Sequence, residues 1–169
     1  MSPGPWRGRL TFLLAGLTVL VLAASVPGSL REAWARGGFY VFSRDFLEDI
    51  PKRLTGPGRF RFLLQPTTAI TLGVAAGRRD RRAGRPPYLH ALLAGGEGRG
   101  VLARSAFADI ANLLLLGILA DSVCQWLILG SSYPGAALVV GPVLITVPYA
   151  MARALANRAT AAWGARRAG

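Results

Sequence analysis

Three stretches of this 169-residue chain are almost free of ionised side chains, and arginines gather at their edges. Leu10 to Val26, Phe107 to Leu129 and Pro134 to Met151 hold two acids between them, Asp109 and Asp121, and no base. A water-soluble fold would have to bury all three runs in one core. A bilayer solvates each run along its own length and meets the flanking cations with headgroups and water. The expected fold class is therefore all-α: an integral membrane bundle of about four transmembrane helices with a short amphipathic interfacial helix, in a single domain over 1–169. Apolar residues make up 52% of the chain and the formal net charge is +12; in a membrane protein that excess is mainly topological.

Arginine outnumbers lysine nineteen to one beside abundant Ala and Gly, a usage that points to a GC-rich, bacterial genome. The single cysteine, Cys124, can form no intramolecular disulfide and no metal site of its own.

The first span is expected at 10–26, after Arg7 and Arg9 and before Pro27 and Gly28. Its basic start and the small residues Ala23, Ala24 and Ser25 also suit a cleaved signal peptide, and both readings stay open. An outer loop over 27–59 follows. Phe39, Phe42, Phe46 and Ile50 recur there at helical spacing while Arg44, Asp45, Glu48 and Asp49 face elsewhere, the pattern of an amphipathic helix on the membrane surface. The second span, 62–77, is diluted by Gln65, Pro66, Thr67, Thr68 and Thr71; a crossing is preferred and a re-entrant segment is the alternative.

A basic loop, 78–104, comes next. Its Arg78, Arg79, Arg81, Arg82 and Arg85 suit the cytoplasmic side, where they serve as topogenic signals or meet anionic lipid head groups. Pro87 is expected to start a short helix over Tyr88 to Leu93, and Gly95 to Gly100 to form a flexible break. The third span is expected at 107–130, and Ser131 to Tyr133 leave room only for a tight turn into the fourth, 134–151, kinked by Pro142 and Pro148. A basic tail, 152–169, ends the chain. Counting cations along the loops gives N-in and C-in topology in a bacterial inner membrane.

Asp121 carries the most information, because an acid near the middle of a span costs about 2.5 to 3.5 kcal/mol on insertion scales. Gln125 lies one turn on along the same face, and Asp109 with Asn112 makes a second polar pair. Two readings stand. Asp121 could be a proton or cation ligand on a path completed by Gln125, Gln65 and the helix-two threonines, or structural glue hydrogen-bonded across the bundle. Ala69, Gly73 and Gly77 form a small-residue stripe at four-residue spacing, as Ala137 and Gly141 do more briefly, and suit close helix packing. His90 has no metal-ligand partner at suitable spacing, and the glycine run lacks the ending of a phosphate loop, so no metal and no cofactor is expected. The arginine cluster lacks interleaved aromatics, which argues against nucleic acid as a partner.

The succession FLLQPTTAITLG, GRRDRRAGRPPYLHALL, ADSVCQWLILG and PYAMARALANR resembles small multi-pass bacterial membrane proteins for which no activity is established. The resemblance covers roughly the last two thirds of the chain and implies a membrane location and nothing mechanistic. The expected function is that of a non-enzymatic accessory or interaction protein, whose partners are anionic lipids and a larger complex or a second copy of the chain. The alternative is an oligomeric transporter or channel component using Asp121 and Gln125, and a distant third is a lipid-modifying enzyme using His90 or Asp109.

Overall fold

The computed structural model describes residues 5–94 and 98–168, so Gly95, Gly96 and Glu97 of the expected glycine break lie outside it. The described residues form helices and turns with no strand. In chain order the helices are α1 Pro5–Arg36, α2 Arg44–Glu48, α3 Ile50–Thr55, α4 Arg61–Arg82, α5 Tyr88–Ala94, α6 Arg99–Leu129 and α7 Pro134–Ala168.

Three of these helices are long and apolar enough to cross a membrane: α1 over Gly8–Arg36, α6 over Arg99–Leu129 and α7 over Pro134–Trp163. They carry large apolar side chains outward, among them Phe12, Leu13, Leu20, Trp126, Leu127 and Met151. A surface of that kind is solvated by lipid and would drive association in water. α4 is a continuous helix through Pro66, but its threonines, Gln65 and terminal arginines keep it out of that group.

The helix ends follow from local chemistry, and several lie away from the expected bounds. α1 does not stop at Pro27 but runs ten residues past the expected end at 26. Proline removes one intrahelical donor and strains a preceding carbonyl, a defect that membrane helices tolerate. The helix ends instead at Gly37, whose φ of 73° is left-handed. Gly37 N–H donates to Trp34 and Gly38 N–H to Ala33, a double bond pattern that closes the last turn.

The surface helix expected through Phe39, Phe42, Phe46 and Ile50 is replaced by two short helices. Phe42 adopts a left-handed φ of 63°, which ends any helix between Phe39 and Ser43. Ser43 then caps α2 by accepting from Phe46 N–H, and Pro51 sits in the first turn of α3. Phe46 is buried while Phe39, Phe42 and Ile50 are exposed, so the four do not share one buried face. α7 continues to Ala168, through the stretch expected as a tail.

The chain forms two compact units, Met1–Leu63 with Asn112–Val143, and Leu64–Ala111 with Leu144–Gly169. In the first, Tyr40, Phe46, Tyr133 and Ala136 make an apolar core, with Tyr40 stacked on Tyr133 at 3.8 Å between ring centroids. Gly141 lies so close to Gly117 and Ile118 that an added Cβ would meet α6 backbone at 2.9 Å. In the second, a Cβ on Gly73 would fall 2.5 Å from the Tyr149 carbonyl, and one on Gly77 would collide with the Arg153 carbonyl. The small-residue stripe that starts at the fully buried Ala69 is thus the seam along which α4 packs on α7.

Candidate functional site

Each unit holds one buried ionic cluster. In the first unit α6 carries Asp121, fully buried, and Gln125 one turn later, whose amide donates to the carboxylate at 2.5 Å. The Gln125 carbonyl accepts from Tyr133 N–H at 2.9 Å, fixing the turn between α6 and α7. Two guanidiniums converge on Asp121. Arg53 of α3 reaches both carboxylate oxygens at 3.4 Å, and Arg61, the first residue of α4, forms the closer ion pair. Both are as buried as an apolar core side chain, Arg53 2% and Arg61 7% exposed. Arg53 also donates to the Tyr40 hydroxyl, which in turn donates to Asp49 at 2.8 Å.

Burial and these partners set the titration of the loop groups. Tyr40 is pushed up to about 12, first by burial and then by the carboxylate of Asp49, against the pull of Arg53. Burial alone would raise Asp49, but hydrogen bonds from Lys52 and Tyr40 outweigh it and hold the carboxyl below its ordinary value. Tyr133 is raised by burial and by its bond to Glu32.

Along α1 the contacts with α6 run in one direction. Thr11 donates to Asn112, Thr18 to the Leu115 carbonyl, and Glu32 accepts from Ser131 and Tyr133. α1 and α6 are therefore parallel. A groove of about 570 Å³ lies between them, with Ser25, Ser29, Ser131 and Trp126 among its walls.

In the second unit Arg153 of α7, 1% exposed, grips Asp80 of α4 with two parallel bonds of 2.6 and 3.0 Å. It also donates to Tyr149 at 3.0 Å and to Ser105 of α6 at 3.3 Å, and its plane covers the Tyr88 ring at 4.6 Å. Tyr149 passes the chain on to Asp109 at 2.8 Å, which Arg79 meets at 2.7 Å. One arginine thus ties α4, α5, α6 and α7 at a single level. Burial raises the Tyr88 phenol, and Arg153 opposes that rise.

The expected polar residues are distributed differently from their grouping in sequence. Asp121 and Gln125 are brought together, whereas Asp109 and Asn112 bond to different partners, Asp109 to Tyr149 and Arg79, Asn112 to Thr11. The Thr68 and Thr71 hydroxyls are spent on their own helix, on the Leu64 and Thr67 carbonyls. Gln65 is buried, and its carbonyl oxygen has no hydrogen-bond partner among the described residues.

Of the loop arginines, Arg79 and Arg85 are committed to Asp109 and Asp80, while Arg78, Arg81 and Arg82 are exposed. His90 is exposed on α5, beside a groove of about 430 Å³ that Arg85 and Arg99 also line. No group of acids, histidines and cysteine suited to a metal ion occurs among the described residues.

Sequence reasoning missed Arg53, Asp80 and Arg153, which lay in the expected loops and tail, and Arg61, which fell between the expected loop and the second span. Two signals pointed at them. Asp80 is the one acid in a run of arginines, and Arg153 follows Tyr149 by one helical turn.

No protein-family model matches the chain, and no curated protein or solved structure shows detectable similarity to it.

Proposed function

We propose that this chain is a bacterial inner-membrane protein that crosses the bilayer four times with both ends in the cytoplasm, and that it acts as a non-enzymatic accessory protein holding anionic lipid. The direction of the helices supports the fourth crossing. α1 runs parallel to α6. In the second unit α4 runs with α7, Gly73 beside Tyr149 and Gly77 beside Arg153, while α7 runs against α6, Tyr149 to Asp109 and Arg153 to Ser105. Within the second unit α4 therefore runs opposite to α6, the direction expected of a segment that returns to the side from which α6 starts. The 22 residues of α4 are about 33 Å long, and the stretch free of charged side chains, 62–77, covers about 24 Å of that, with arginines at both ends to meet the headgroups.

One observation carries the lipid assignment: a groove of about 1020 Å³ along α4 and α7. Ile70, Val74, Val147 and Leu155 give it apolar walls, and Arg78, Thr160 and Trp163 stand at the end nearer the basic cluster. That gradient matches a phospholipid, with the chain along the walls and the phosphate at Arg78. The transport reading has less support, because the Asp121 carboxylate is engaged by two guanidiniums and an amide.

The test is the lipid retained after purification in mild detergent, measured by native mass spectrometry. The chain should keep anionic phospholipid, and Arg78→Glu should cut retention several-fold while leaving the fold unchanged. Equal retention by both proteins would remove the assignment.

A further inference from the structure

The two buried clusters differ in charge balance. In the second unit each buried acid meets arginine, and Arg153 finds acceptors in Asp80, Tyr149 and Ser105. In the first, a single carboxylate, Asp121, faces two guanidiniums. The other acids nearby are engaged elsewhere. Asp49 bonds Lys52, and Glu32 and Asp45 share Arg36 near the α6–α7 turn, none of them in an ion pair with Arg53 or Arg61. One buried positive charge is left unmatched among the described residues.

The unspent donors tell the same story. Nε of Arg53 and both Nε and Nη2 of Arg61 are buried with no acceptor among the described residues. Aromatic faces do not account for them. Arg53 lies over Phe46 at 5.5 Å and Arg61 over Phe62 at 4.7 Å, contacts that use the flat face of a guanidinium. Its N–H groups radiate in the plane, so they call for an acceptor at the edge, and a charge-bearing one balances the cluster as well. The fork of a guanidinium matches the paired oxygens of an oxyanion.

We propose that Arg53 and Arg61 form a binding site for a phosphate oxyanion, free or carried on a lipid, with Asp121 occupying part of the same guanidinium surface. Asp121 lies eight residues before the end of α6 at Leu129, about 12 Å along the helix axis from the α6–α7 turn. That is the middle of the part of α6 that belongs to the first unit. Gly58 is pressed against Cys124, which lies on α6 three residues after Asp121. The one cysteine of the chain is thus a built-in reporter of the site.

The experiment measures thermal unfolding and the alkylation rate of Cys124 for the full chain in micelles of an alkyl maltoside, a detergent without phosphate. Inorganic phosphate is titrated against chloride at equal ionic strength, and the series is repeated in micelles containing phosphatidylglycerol. Phosphate at ten times its dissociation constant should slow alkylation about tenfold and raise the midpoint, with chloride doing neither. The same protection from phosphatidylglycerol alone assigns the oxyanion to a headgroup.

Arg61→Gln removes the unmatched charge. It should abolish both responses and, in maltoside micelles without phosphate or phosphatidylglycerol, unfold no earlier than the parent. A purely structural Arg61 would instead leave that variant less stable. If neither phosphate nor phosphatidylglycerol changes alkylation or the midpoint of the parent chain, the proposal is overturned, whether or not the variant folds.

Discussion

Arg153 and Asp80 show how much one buried pair can carry. Removing one partner leaves the other charge buried without compensation, at a cost of about 3–5 kcal/mol, which exceeds what most single substitutions impose. Asp80→Asn should therefore lower the unfolding midpoint sharply. Arg81→Ala, an exposed change one residue away, should stay within about 0.5 kcal/mol of the parent in the same melt. Asp49 makes a prediction in pH. Its carboxyl is held below the ordinary value of 3.8, so its contribution is complete above that value and is lost as pH falls through the lower folded value. Acid unfolding of the parent should steepen below about pH 4, and Asp49→Asn should flatten that limb. If the two acid limbs coincide, the bonds from Lys52 and Tyr40 do not act on the fold.

At the scale of elements, α4 is held by absence of side chain. Gly73 and Gly77 put the α7 backbone where a Cβ would stand, so Gly77→Val should destabilise by about 1–3 kcal/mol, and Gly84→Ala, in open space but at a φ of 68°, should act through backbone strain alone. Differential melting of the two variants separates seam from strain, because a second-site Ala156→Gly change should restore part of Gly77→Val and none of Gly84→Ala. The all-helical architecture was legible in sequence because apolar runs of spanning length leave the backbone no other way to satisfy itself in lipid. Helix ends were less legible. Pro27 reads as a stop only if the chain is in water, and the period through Phe39 and Phe42 could not show that Phe42 takes a left-handed turn. The clusters were hidden for a different reason. Asp121 stood out against its apolar run, whereas Arg53, Arg61 and Arg153 sat where arginine is common and its burial leaves no mark in the pattern.

For the whole molecule, the proposed topology follows from helix direction and fixes which face each loop presents. If α1 and α6 both start in the cytoplasm, the segment between α1 and α4 and the α6–α7 turn are outside, and α5 is inside with the exposed arginines of α4. The six cations of residues 29–59 weigh against that arrangement. The five arginines of 78–85 are packed into eight residues, the denser cluster, and on the proposed topology they would hold their end in the cytoplasm; among the described residues Arg79 and Arg85 of this cluster meet acids. Single cysteines at Phe39 and at Leu93, both exposed, in a Cys124→Ser background report the two sides to a membrane-impermeant maleimide. Phe39→Cys should label in intact spheroplasts and Leu93→Cys only after lysis. Labelling of both before lysis would mean that α4 fails to cross, and the reverse order would place the basic cluster and the α4–α7 groove outside, where the lipid headgroups are those of the other leaflet.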